Sequence, residues 1–162
     1  MKASFIFLAA LFISFTVCSQ IVQDPVKWSY KVIKNRNDEY KLIVRAKILK
    51  DWHIYAQQQP KDALSTPTKL EFSFPKSIHL LGKPIEKGNK EKQLVEVLDI
   101  TQYYYKDQVD FVQNIAFTGK GTVKVSCKIS YMACNEQMCL PVKDFNFWVY
   151  LPIQVPKRES FQ

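Results

Sequence analysis

Apolar and polar residues alternate over several short stretches of the chain, most clearly at positions 40–49. There an apolar side chain occupies every second position from Tyr40 to Ile48, and two lysines and an arginine fill most of the positions between them. A period of two places alternate side chains on opposite faces of an extended strand, so the pattern predicts a β-strand with one buried face. The same alternation predicts seven more strands, at residues 28–34, 52–56, 69–74, 94–100, 109–117, 122–131 and 145–151.

Turn-forming residues separate these stretches, and helical periodicity is almost missing between them. The breaks fall at residues 35–38, 50–51, 60–67, 75–89 and 119–121. Residues 82–93 mix lysines with glutamates, and we interpret them as a solvated loop. Seven or eight short strands in about 120 residues are typical of an antiparallel sandwich. The sequence therefore predicts an all-β, immunoglobulin-like β-sandwich, with a closed barrel as the structural alternative.

The first nineteen residues have the pattern of a cleaved signal peptide. Lys2 precedes a mostly apolar run at residues 5–17, which is too short to span a membrane. Neutral residues suited to a cleavage site follow this run, so we expect signal peptide 1–19 to be removed after Ser19. No later stretch reaches 18 consecutive apolar residues. The mature chain is therefore expected to be exported and to lack a membrane span.

Composition agrees with one mature domain, predicted at residues 20–151 and followed by a tail at 152–162. The 162 residues are 47% hydrophobic and 23% charged, which excludes disordered and collagen-like classes. A net charge of +8 would favour an anionic partner only if the lysines formed a cluster. A nucleic-acid partner is not expected of an exported chain. The alternative for the N-terminus is that Cys18 carries a lipid, which would make the protein a lipoprotein.

Export also determines how the cysteines are interpreted, because disulfides form in oxidising compartments. Removal of the signal peptide leaves Cys127, Cys134 and Cys139. Cys127 lies on the apolar face of the strand predicted at 122–131, so we expect a buried, inert thiol. Cys134 and Cys139 follow the end of that pattern and precede Pro141. They are therefore expected in a turn between the last two strands.

Four residues separate the two cysteines of this turn, and the spacing leaves three interpretations open. A disulfide that closes so short a loop contributes only about 2 kcal/mol of stability, whereas an exposed pair on a rigid sheet would suit thiol exchange. A zinc site would need four ligands, and the remaining candidates, His53, His79 and Cys127, are not at paired spacing. We favour a disulfide, either structural or redox-active, over a metal site, and we expect no organic cofactor.

Segments along nearly the whole mature chain resemble one known family. The motif SYMACNEQMCLP at residues 130–141 lies between a strand pattern and a final aromatic strand. Upstream stand WSY at 28–30, DWHIY at 51–55 and LDITQYYYK at 98–106. Together these segments resemble the N-terminal periplasmic domain of the thiol:disulfide interchange protein DsbD, also called the disulfide bond corrector domain.

The resemblance implies a fold, an activity and a set of partners. Members of this family are immunoglobulin-like sandwiches whose cysteine pair passes electrons from a membrane thiol transporter to periplasmic thioredoxin-like proteins. The resemblance casts Cys134 and Cys139 as that pair. Cys139 would form the mixed disulfide with the partner, and Cys134 would resolve it. The chain is then expected to work in the periplasm.

The family also shields its cysteine pair with a cap that carries an aromatic side chain. Tyr103, Tyr104 and Tyr105 fall where the resemblance places this cap, and the alternative is that they are core tyrosines at a strand end. Tyr55 and His53 belong to a strand that the resemblance places near the same site. His53 is a candidate proton acceptor or thiolate stabiliser, and the alternative is a histidine on the strand surface.

The sequence departs from the best-known members in two ways. Four residues rather than five separate the cysteines, and Leu140-Pro141-Val142 stands where those members have Tyr-Pro-Pro. Full-length members also continue into transmembrane and thioredoxin-like domains, so a separate protein is expected to act as the reductant here. Two hypotheses follow. The chain is a thiol-disulfide exchange component such as a protein-disulfide reductase, or it is a non-catalytic immunoglobulin-like binding module with a structural disulfide.

Overall fold

The computed structural model describes residues 24–35 and 38–152, whose regular structure is β-strand apart from one 3₁₀ turn at Glu96–Leu98. The nine strands of these ranges are β1 (Val26–Lys34), β2 (Glu39–Ile48), β3 (His53–Tyr55), β4 (Lys69–Ser73), β5 (Ile78–Val95), β6 (Ile100–Phe117), β7 (Val123–Tyr131), β8 (Ala133–Cys134) and β9 (Lys143–Leu151). The predicted signal peptide and the tail beyond Pro152 lie outside the described residues. Among the described residues, no helix is long and apolar enough to cross a membrane.

Two antiparallel sheets pack into a sandwich. The first has the order β1-β2-β6-β3-β8, with β5 paired to the other edge of β6, and the second has the order β4-β7-β9. Trp28 of β1 joins the sheets, because its ring lies 5.1 Å from that of Tyr131 in β7 and 5.9 Å from that of Phe145 in β9. The predicted all-β, immunoglobulin-like sandwich is confirmed, in place of a closed barrel.

The alternating stretches fold as predicted because one face of each strand is buried. In β2 the apolar side chains from Tyr40 to Ile48 enter the core, and in β7 the buried set includes Val125, Cys127 and Ile129. These residues belong to one hydrophobic cluster that draws side chains from both sheets. Full burial of a large apolar side chain is worth about 1.5–3 kcal/mol, so this shared core holds the two sheets together.

The largest correction to the sequence-based prediction concerns β5. Residues 75–89 are predicted as a break and 82–93 as a solvated loop, but an 18-residue strand runs through both. Ile78 is its one buried residue, because β5 is an edge strand that pairs with β6 and turns most of its side chains to solvent. Register shifts after Leu81 and Gly88 let the strand accommodate Pro84 at an edge. The prediction of a strand at 94–100 is also wrong, because the 3₁₀ turn at Glu96–Leu98 divides this stretch between β5 and β6.

The hairpin of β5 and β6 bends where β6 changes partner. Residues 108–116 of β6 pair with β2, whereas Tyr104 and Tyr105 pair with β3. Asp107, between the two halves, has a φ of 55°. Gly88 of β5 lies beside the bend, where an added Cβ would stand 2.9 Å from the carbonyl oxygen of Gln108. Glycine allows this close approach of two backbones, and the half of β6 that precedes the bend pairs with β3.

Cys127, the free cysteine of the described residues, belongs to the core, as predicted. Cys127 is 3% exposed, and burial raises the pKa of its thiol to about 12. We expect Cys127→Ala to lower the free energy of unfolding by about 1 kcal/mol, measured by urea denaturation, and to leave thiol exchange unchanged. A variant that kept its fold and lost exchange would show that this thiol takes part in the chemistry.

Candidate functional site

The two other cysteines close a tight loop after the last core residue of β7. A hydrogen bond from the Leu140 amide to the Ala133 carbonyl (2.9 Å) and another from the Asn135 amide to the Met138 carbonyl (2.9 Å) frame the loop. Between these bonds, Cys134 and Cys139 face each other as an antiparallel bridge and form a disulfide. The predicted turn between the last two strands is therefore present, with the short strand β8 added.

Asn135 shapes the four residues between the cysteines. Its side-chain Oδ1 accepts hydrogen bonds from the amides of Gln137 (2.9 Å) and Met138 (2.8 Å). Asparagine commonly forms such turns because its short side chain can replace a backbone acceptor. The loop geometry is thus determined locally, and it does not depend on the disulfide alone.

The two halves of the disulfide differ sharply in accessibility. Cys134 is 1% exposed, whereas Cys139 is exposed to solvent. Leu140, directly after Cys139, is buried and anchors the end of the loop. An incoming thiolate can therefore approach the disulfide only from the side of Cys139, because displacement at sulfur needs an open line of attack.

Strand β3 places His53 next to Cys134. The two residues are directly opposite in the β3-β8 ladder, and so are the neighbouring residues Ile54 and Ala133. Ile54 and Ala133 face the core. Because successive side chains of a strand point to opposite faces, His53 and Cys134 share the outer face of the sheet. Tyr55 lies on that face too, with its hydroxyl 3.3 Å from Nε2 of His53.

Only one of the three consecutive tyrosines shares the face that carries the disulfide. The ring of Tyr104 lies 4.8 Å from that of His53, and its hydroxyl donates a 3.0 Å hydrogen bond to Glu91. Tyr105 belongs to the core cluster on the other face, and the partly buried Tyr103 packs against that cluster. The period of two that predicted the other strands also separates Tyr104 from its neighbours. A cap role stays a prediction, and Tyr104 is the residue placed to fill it.

Burial and nearby charge keep His53 uncharged. Its pKa is lowered from the ordinary histidine value, first by burial and then by the positive charge of Lys106, while Glu91 acts in the opposite direction. Lys106 and Glu91 form an ion pair at 3.3 Å, so each weakens the effect of the other. Near neutral pH the imidazole is therefore available to accept a proton and contributes no positive charge.

A cleft of about 650 Å³ opens beside the disulfide loop. Its lining includes residues 50–53 before and at the start of β3, residues 135–137 of the loop, and Tyr104 and Lys106 of β6. Lysines and acidic residues both contribute, so the lining has mixed charge. No local pattern in the sequence indicates this cleft, because its lining comes from segments far apart in the chain. Among the described residues, no group of three or more His, Cys, Asp or Glu side chains could hold a metal ion.

Comparison with known proteins assigns the family. The family model for the thiol:disulfide interchange protein DsbD, N-terminal, matches residues 19–147. The chain belongs to this family. This confirms the resemblance recognised in the sequence. A comparison with curated proteins finds no match.

Two solved structures show the same fold as this member of the DsbD N-terminal family. The N-terminal domain of DsbD from Neisseria meningitidis, in the reduced form, has a TM-score of 0.51 and 18% identity, with 79% of this chain and 89% of that chain covered. The N-terminal periplasmic domain of ScsB from Proteus mirabilis has a TM-score of 0.56 and 11% identity, with 78% of this chain covered. The chain spans 47% of the ScsB chain. At these identities the likeness concerns the fold alone.

Proposed function

We propose that this protein is an exported, periplasmic thiol-disulfide exchange module that passes electrons through Cys134 and Cys139 to or from thioredoxin-like partners. Family membership supports the reaction class. The observation that carries the proposal is the unequal exposure of the two cysteines in a local, surface disulfide. A purely structural bridge does not need one reachable sulfur, whereas an exchanging one does.

The geometry favours Cys139 as the sulfur that meets the partner. In the oxidised state, a partner thiolate attacks Sγ of Cys139, the bond to Cys134 breaks, and Cys134 leaves with the electron pair. In the opposite direction, reduced Cys139 attacks a partner disulfide and forms a mixed disulfide. Cys134 then attacks Cys139, the partner leaves as a thiolate, and the intramolecular disulfide is restored.

The surroundings of the disulfide support recognition of a partner by shape and contact. Tyr104 lies against His53 on the face that carries Cys134, and Tyr55 is almost fully buried beside them. We infer that Tyr104 acts as the aromatic cover that a docking partner displaces. Electrons would reach the pair from a membrane thiol transporter, as the family resemblance implies, with the signal peptide directing export.

Trapping the mixed disulfide tests the proposal. Reduced Cys134→Ala is mixed with a thioredoxin-like protein that lacks its second active-site cysteine and whose first active-site cysteine is joined to thionitrobenzoate through a disulfide. We expect Cys139 to displace the leaving group and form a stable covalent complex, seen by non-reducing electrophoresis and mass spectrometry. The matched variant Cys139→Ala should yield a complex at least about tenfold more slowly, because Cys134 is buried.

The outcome also separates the two hypotheses. Equal trapping by both variants would contradict the assignment of Cys139 as the exchanging sulfur. Trapping by neither variant, with the fold intact, would favour a non-catalytic binding module with a structural disulfide.

A further inference from the structure

In the reduced protein, the buried thiol of Cys134 needs a neighbouring group that can accept its proton. We propose that His53 accepts the proton of the Cys134 thiol as that sulfur attacks the mixed disulfide, and returns it when Cys134 leaves. This inference rests on the exchange function proposed above and adds a catalytic residue to it.

The register of β3 and β8 provides the contact. Residues directly opposite in an antiparallel ladder have Cβ atoms about 5 Å apart, on the same face. His53 and Cys134 are such a pair. Cys134 is 1% exposed, so bulk water has little access to its sulfur. Because only the thiolate is a nucleophile, the proton has to pass to a neighbouring group.

Charged and titratable side chains face His53 from each element that packs against it. These side chains are Tyr55 on β3, Glu91 on β5, Tyr104 and Lys106 on β6, and Cys134 on β8, with Lys50, Asp51, Asp107 and Glu136 around the cleft. Of these charges, the ion-paired Glu91 and Lys106 are the two that shift the pKa of His53. Burial lowers the pKa of His53 below its ordinary value, and Lys106 adds to this. A neutral imidazole is the form that can accept a proton.

The ring is also held in place and connected to solvent. Tyr55 stands edge-on to it at 5.2 Å, and Tyr104 covers it at 4.8 Å. The Tyr55 hydroxyl lies 3.3 Å from Nε2, which leaves Nδ1 for proton exchange. His53 lines the cleft, so a proton taken from the buried sulfur can pass to water there.

The step balances in protons and electrons. The S–H proton of Cys134 moves to the imidazole, and the resulting thiolate attacks Sγ of Cys139. A bond forms between the two cysteines, the bond between Cys139 and the partner sulfur breaks, and the partner leaves as a thiolate with the electron pair. The pair Cys134 and Cys139 is oxidised by two electrons, the partner is reduced, and the imidazolium releases its proton to water.

Stopped-flow reaction of the reduced protein with dithiobis-nitrobenzoate tests the proposal. Attack by Cys139 releases the first thionitrobenzoate, and the attack of Cys134 on the mixed disulfide releases the second. Both steps are measured in the Cys127→Ala background, so that no third thiol contributes. At pH 7 we expect His53→Gln to slow the second release by about 10- to 100-fold, and to change the first by less than about twofold.

The pH profile distinguishes proton acceptance from a structural role. With His53 present, the second release falls as pH drops through the lowered pKa of the imidazole, because the protonated ring cannot accept a proton. Without it, the rate follows ionisation of the thiol itself, so the deficit should shrink as pH rises. His79→Gln, which changes the other histidine, on the exposed surface of β5, should behave as the parent protein does.

A second variant controls for the possibility that His53→Gln disturbs the fold. His53→Phe keeps an aromatic ring between Tyr55 and Tyr104 and removes the acceptor, and it should show the same slow second release. If both variants retain the parent rate and pH profile, His53 is not the acceptor, while the exchange function stands. If the folded parent protein releases no thionitrobenzoate until it is denatured, the exchange function fails as well.

Discussion

In the reduced protein, we expect alkylation of Cys139 to be about 100-fold faster than alkylation of Cys134. Burial withholds the sulfur of Cys134 from the reagent, and alkylation needs access to the thiolate. Cys139 is exposed and therefore open to the reagent. A limiting amount of iodoacetamide, quenching at successive times and fragmentation mass spectrometry of the peptide that contains both residues would give the two rates.

The control for this measurement is Cys127, which is also buried. Its alkylation should be slower than that of Cys139 and should reach completion only in denaturant. Equal rates at Cys134 and Cys139 in the folded protein would mean that reduction opens the loop. The order of sulfurs in the exchange mechanism would then lose its support.

A valine in place of Gly88 is expected to lower the free energy of unfolding by about 2–3 kcal/mol. Its Cβ would stand 2.9 Å from the Gln108 carbonyl oxygen and 3.2 Å from Cβ of Val109. Crowding of this kind typically costs about 1–3 kcal/mol, and occasionally more. Because backbone atoms cannot rotate aside, β5 and β6 would have to separate at the bend. Urea denaturation followed by tryptophan fluorescence gives the change in unfolding free energy.

Lys87→Val is the matched control for Gly88→Val. Lys87 precedes Gly88 on the same strand, but it is exposed, so the same valine should alter stability by no more than about 0.5 kcal/mol. If the two variants unfold at the same urea concentration, the close approach of β5 and β6 is not a constraint on the fold.

The strands that could be predicted from sequence are those with one face in the core and one in water. β2 and β7 have this property, and their alternation is visible in the chain. β5 lacks it, because an edge strand exposed along most of its length has no need of alternating apolar residues. Its partner β6 determines its conformation, and Pro84 and the glycines resembled turn signals. Pairing with a distant strand leaves no local pattern to detect.

Part of the candidate site could likewise be predicted from sequence, and part could not. The spacing of Cys134 and Cys139 showed a local pair, since the loop between them is formed by neighbouring residues. The position of His53 directly opposite Cys134 depends on the register of β3 against β8, and neither strand's sequence reveals that register. Only the family resemblance placed them together. The tyrosine triplet shows a missed signal, because alternation would have separated Tyr104 from Tyr103 and Tyr105.

The short span of the disulfide limits how much of the structure changes when the bond is broken. The cysteines are five positions apart, so breaking the bond frees a loop worth only about 2 kcal/mol in chain entropy. Backbone hydrogen bonds from Leu140 to Ala133 and from Asn135 to Met138 also hold this loop, in addition to the disulfide. If the protein exchanges disulfides as proposed, its oxidised and reduced forms can therefore share one scaffold. The structural change between them would then be confined to the hairpin that carries Cys134 and Cys139.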